Sequence, residues 1–154
     1  AKETGESLFD KLAVLGAEAI VETLSLLEQG RLVPVPQDEA LATHTVMLDK
    51  TMGRMDFSKS AAELERLVRG LNSWPSAYTF FEGKQLKVWE ADVVEDGNAD
   101  GADGEIVAVG KDSFDVKCAQ GSLRIRSLQL EGKKRMSTHD FLLGNAVKKG
   151  MHLG

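Results

Sequence analysis

The chain has a single cysteine, Cys118, so no internal disulfide can form, which fits a reducing compartment. No apolar run approaches the roughly 18–20 residues that a bilayer-spanning helix needs. The opening AKETGESL is polar and lacks the pattern of a secretory leader. A cytoplasmic location is therefore expected, with no membrane partner. The chain also lacks an initiator Met, which points to a trimmed or excised sequence. Histidine is scarce: His44, His139 and His152 are the only three, and none adjoins a serine or cysteine in a nucleophile motif. With one cysteine there is no cluster of His and Cys ligands, so no metal site is expected. His139 falls inside a helix-start signal and reads as a surface residue. Cys118 falls on the apolar side of a strand pattern and reads as core.

What is present is ordinary globular material: 154 residues, 42% hydrophobic and 28% charged, enough for one domain with a core or a small domain plus a further piece. The net charge of −5 is unevenly spread. Residues 1–41 carry three basic and eight acidic side chains, whereas residues 42–154 carry sixteen of each. Six of those sixteen acids lie between Asp92 and Glu105. A basic surface can therefore coexist with an acidic loop.

Residues 7–29 have apolar positions Leu8, Leu12, Leu15, Ala19, Leu24 and Leu27 at helical spacing, with Thr4 or Ser7 as cap and Gly30 as the C-terminal glycine. Val33-Pro34-Val35-Pro36 forbids helix, and 31–57 reads as a linker between domains. Ser60-Ala61-Ala62-Glu63 is a capping box that opens a second helix carrying Ala61, Leu64, Leu67, Val68 and Leu71 on one stripe. After Trp74-Pro75 the period changes to two. Strands are expected at 77–82, 85–94, 105–109, 113–118 and 122–128, with turns at Gly83, Gly110 and Gly121 that each want positive φ. A last helix starts at Ser137. The fold class implied is α+β: an N-terminal helix, an extended linker, and a small five-stranded barrel of the oligonucleotide-binding type with flanking helices.

Asp96-Gly97-Asn98-Ala99-Asp100-Gly101 matches the first half of a calcium loop, but six residues after Gly101 the required Glu is Val107. A solvated acidic hairpin loop is the plainer reading. The basic residues are the stronger signal. Arg124, Arg126, Lys133, Lys134 and Arg135 crowd twelve residues against one acid, Glu131. Lys84 and Lys87 flank the first hairpin, and Lys50 and Arg54 lie in the linker. Such residues on a small barrel suit phosphate-directed binding of nucleic acid. An ordinary solvated basic face, or a protein-binding barrel, explains the same charges. Tyr78, Phe80 and Phe81 form no RNA-binding aromatic motif and fit a core.

Four segments, "TGESLFDKLAVLGAEAIVETL" (4–24), "PVPQDEALATH" (34–44), "GRMDFSKSAAELERLVRGLNSWPSAYTFFEGKQLKVWEA" (53–91) and "LQLEGKKRMSTHDFLLG" (128–144), resemble the C-terminal half of the methionyl-tRNA formyltransferase family. The resemblance implies that 1–41 is the end of a Rossmann-like catalytic domain plus the start of a linker. It implies that 42–154 is the rest of that linker and a tRNA-binding barrel. It implies a parent enzyme that carries a formyl group from 10-formyltetrahydrofolate to initiator methionyl-tRNA. The family's catalytic Asn, His and Asp and its folate-binding loop have no counterpart here. No catalytic residue, bound cofactor or metal is therefore expected in this chain, and alone it should not transfer formyl groups. Another folate-dependent formyltransferase shares parts of this architecture and stays as an alternative.

The linker departs from the family pattern. Met47 stands where a lysine is common, Lys50 matches a later lysine, His44 replaces Tyr, and Phe57 replaces Trp, so the resemblance implies a linker contact with tRNA that is weaker or shifted to Arg54. Trp74 and Pro75 read as a structural corner that presents Lys84 and Lys87 together. The stripe on helix 7–29 should pack against the N-terminal catalytic domain or, without it, pack on a second copy or be poorly ordered.

Overall fold

The computed structural model describes residues 2–95 and 100–154. Helix α1 (Gly5–Glu28) begins two residues earlier than its periodicity suggests, because Thr4 is the cap. The Thr4 hydroxyl accepts from the Ser7 backbone N–H, and the Ser7 hydroxyl accepts from the Thr4 N–H. At the far end Gly30 takes φ +65°. Its N–H donates to the Leu27 carbonyl and the Arg31 N–H donates to that of Leu26, which stops the helix in a Schellman arrangement. No residue of α1 is buried. Its leucines at 8, 12, 15, 24 and 27 are all exposed.

Residues 31–49 hold no helix or strand, turn once at 39–41, and are exposed except for the partly buried Ala42. The expected linker to 57 ends sooner. A 3₁₀ turn covers Lys50–Gly53, the Met55 N–H donates to the Tyr78 carbonyl, and Met55 and Phe57 are buried in the core. The reason is apolar alternation: 55 and 57 point inward and carry the chain under the barrel. Helix α2 (Ala61–Gly70) opens on the Ser60–Glu63 capping box and buries Ala61, Leu64 and Val68. Each of the latter two is worth about 1.5–3 kcal/mol.

The corner that follows is not built as expected. Pro75 is buried, but Trp74 is 57% exposed. The work falls to Asn72, whose side-chain amide donates to the Trp89 carbonyl, and to Ser76, whose N–H donates to Leu71 and whose hydroxyl donates to Ser73.

All five expected strands are present: β1 (Ala77–Phe81), β2 (Lys84–Val94), β3 (Ile106–Val109), β4 (Phe114–Lys117) and β5 (Ser122–Leu130). A two-residue β6 (Met136–Ser137), too short to show a period, pairs with β5. The antiparallel sheet runs β1-β2-β5-β4-β3. Glu82 (φ +49°) and Gly83 (φ +75°) give the tight β1–β2 turn its two left-handed residues. Gly121 is also left-handed, but Gly110 is not; its turn closes through an ordinary Gly110 N–H to Ser113 carbonyl bond. Helix α3 (Thr138–Gly144), capped by Ser137, sets Phe141 edge-on to Phe81 at 5.6 Å.

The last residues close the barrel. The Ile106 N–H donates to Met151, the Leu153 N–H to Gly104, and the Gly154 N–H to Phe80, so the tail bridges the β3 and β1 edges. Leu153 is buried beneath it, and Cys118 lies in the same core, as its strand pattern implies.

Candidate nucleic-acid interface

The barrel pairs its strands so that one outward row crosses four backbone segments. Arg54 bridges Tyr78, Tyr78 is opposite Lys87, and Lys87 is opposite Gln129. The next row places Phe80 opposite Gln85. Side chains directly opposite in a sheet share a face. Leu86 and Val88 fill the inner face of β2, which leaves Gln85, Lys87 and Trp89 outside. Tyr78 and Phe80 thus lie half-buried on the outer face and only Phe81 is core, a correction to the reading of all three as core. The signal was available: in AYTFF the small and hydroxyl residues at 77 and 79 share their face with Phe81.

The nine candidate cations divide by what they touch. Arg124 grips Asp115 through two bonds of 2.8 and 2.7 Å, and Asp115 is itself buried. Arg126 bonds Asp92 at 2.9 Å and lies 3.8 Å from Asp112. Arg135 pairs with Glu90 and stands 5.2 Å over the Trp89 ring. These three share their charge with acids on neighbouring strands, which spacing along one strand could not reveal. Lys50, Arg54, Lys84, Lys87, Lys133 and Lys134 have no ion pair among the described residues. Arg54 lies 6.0 Å over Phe80, and Lys87 lies 5.7 Å over Trp89.

Lys84 and Lys87 do not present one surface. By strand parity Lys84 belongs to the inner side, at the hairpin end. There it adjoins the β5–β6 turn: the Glu131 N–H donates to the Gln85 carbonyl, and Lys133 and Lys134 follow. The unpaired candidates therefore fall into two groups: Arg54 and Lys87 on one face, with Lys50 in the turn that leads to Arg54, and Lys84, Lys133 and Lys134 at a barrel end. The calcium-loop candidate lies mostly outside the described residues, since 96–99 are not among them.

A cleft of about 640 Å³, lined in part by Trp89 and Arg135, separates the start of α1 from the sheet. Ion pairs span it. Lys2 bonds Asp92 at 2.7 Å, the Arg69 guanidinium donates to the Glu3 carbonyl, and the Glu6 N–H donates to the Asn72 carbonyl. Lys2 and then Arg126 hold the Asp92 carboxyl below its usual range. A depressed carboxyl contributes stability above its unfolded pKa and loses it as pH falls through the folded value. The clasp should therefore open in acid, below the ordinary aspartate range. Hydrogen exchange at the Glu6 amide checks this: Asp92→Asn should reproduce the loosening at neutral pH.

Comparison with known proteins adds to this geometry. The family model described as formyl transferase, C-terminal domain, matches residues 47–146. A methionyl-tRNA formyltransferase of Lachnospira eligens is 51% identical over the whole of this chain and 50% of its own length. One from Agathobacter rectalis is 49% identical over 96% of this chain and 47% of its own. The chain spans about half the length of the curated relatives it matches. Crystal structures of HypX from Aquifex aeolicus share the fold. One variant has a TM-score of 0.66 at 20% identity, over 97% of this chain and 28% of that one. The form in complex with tetrahydrofolic acid scores 0.58 at 19% identity, over 88% and 26%.

Proposed function

Since the chain belongs to the formyl transferase C-terminal domain family, we propose that it is the RNA-holding part of a longer enzyme. That enzyme moves a formyl group from 10-formyltetrahydrofolate to the methionyl amino group of initiator tRNA. The observation that carries this is that, of the nine candidate cations, Arg124, Arg126 and Arg135 are held by acids of the barrel while the other six have no carboxylate partner among the described residues. Unpaired lysine and arginine release counterions when they meet phosphate, which gives affinity without reading sequence. The domain's task is then to grip the tRNA backbone and hold its acceptor end for chemistry done elsewhere.

The folate donor and the reacting groups are assigned to the half of the relatives that this chain does not span. The exposed leucines of α1 are the surface against which that half packs, and in isolation a second copy would cover them. Translation initiation in the cytoplasm is the setting this activity implies.

A binding assay separates this reading from a protein-docking barrel. Labelled initiator tRNA should be retained by the purified chain at low salt and displaced by excess bulk tRNA. No retention at low salt would favour the protein-docking barrel.

A further inference from the structure

Resting on that RNA-binding reading, we propose that Tyr78 and Phe80 form a stacking platform for unpaired nucleotides, flanked by Arg54 and Lys87. The two rings meet edge to face, with centroids 6.0 Å apart and planes at 87°. Both stand half-buried on the outer face of β1, beside the turn Lys50–Gly53. Gly53 seats them: a Cβ there would lie 2.1 Å from the Ser76 carbonyl oxygen and 3.2 Å from the Tyr78 ring. The backbone at 53 can therefore pass tightly beneath Tyr78 and place Arg54 over Phe80, and a larger residue would push both away.

The surroundings select the occupant. In these rows the rings meet two cations and two amides, Gln85 and Gln129, and no aliphatic side chain, with the Glu131 carboxylate accepting from the Gln85 N–H at the edge. A protein partner would want a wider apolar centre. A single strand of RNA wants rings for its bases, amides for their edges and cations for its phosphates, in alternation. Trp89, the third outward ring, lies under Lys87 and Arg135 and lines the cleft beside α1. The cations that hold duplex phosphates and the rings that take bases are then separate groups with separable effects.

The test uses two RNAs: a blunt hairpin, and the same hairpin with a six-nucleotide single-stranded 3′ tail. The wild-type chain should bind the tailed RNA roughly tenfold more tightly, since each stacked base contributes about five- to hundredfold. Tyr78→Leu with Phe80→Leu keeps apolar volume and removes the rings. That variant should bind both RNAs equally, with the hairpin affinity and its salt slope unchanged. Equal wild-type binding of the two RNAs, or a tail preference that survives in the leucine variant, overturns the platform and leaves the phosphate grip standing. Failure to bind even the hairpin overturns the grip and the platform together.

Discussion

Leu153→Ala is expected to lower the unfolding free energy by about 2–4 kcal/mol, the usual range for a truncated buried leucine. Domains of this size are stable by only about 5–15 kcal/mol in all, so one change in the penultimate residue would remove a large share. The reason is topological. The sheet order ends at β1 and β3, and the tail fills the space between these two edges. Leu153 is 4% exposed. Its own N–H donates to Gly104, and the Gly154 N–H donates to Phe80. Removing residues 151–154 would cost more, because edge groups at Gly104, Ile106 and Phe80 would lose their partners, each at about 1–3 kcal/mol when left buried and unpaired. Urea titration of both variants measures this. A tail deletion that unfolds at the wild-type midpoint would show that the barrel closes without it.

Arg54→Glu combined with Lys87→Glu should weaken tRNA binding by roughly a hundredfold or more at low salt and flatten the salt slope by about two units, one for each lost phosphate contact. The informative control is the paired neutralisation Arg124→Gln with Asp115→Asn. It removes a cation that is equally basic in the sequence but is bound twice to a buried aspartate. Removing both partners avoids leaving a buried charge unpaired. That double variant should change affinity by less than about threefold. Equal losses in the two double variants would mean that ion pairing within the barrel does not decide which cations meet RNA.

Much of this was legible in the sequence because it is local. The capping box at Ser60, the Ser137 cap, the glycine after α1 and the alternation in β4 and β5 are set by neighbours within four residues. The Glu82-Gly83 turn then fixes the register of the first hairpin. What could not be read lies across strands. Arg124 stands in a basic cluster along the chain, but its partner Asp115 is set by the β4–β5 register. Arg126 and Lys2 share Asp92, which is distant from both in sequence. The same limit explains Trp74: a tryptophan before a proline suggests a packed corner, yet burial depends on what reaches it, and within this chain only Pro75 is covered. The closing tail was missed because Met151-His152-Leu153-Gly154 is too short to show a period, and its partners lie at residues 80 and 104–106.

The account stands most directly on the salt dependence of initiator tRNA binding by the purified chain, with a scrambled RNA of equal length as control. With six unpaired cations engaged, the logarithm of the binding constant should fall linearly with the logarithm of salt, with a slope of about −4 to −5, nearly the same for both RNAs. A slope near zero, or no binding at about 50 mM salt where such contacts are strong, would contradict a barrel that holds RNA by its phosphates.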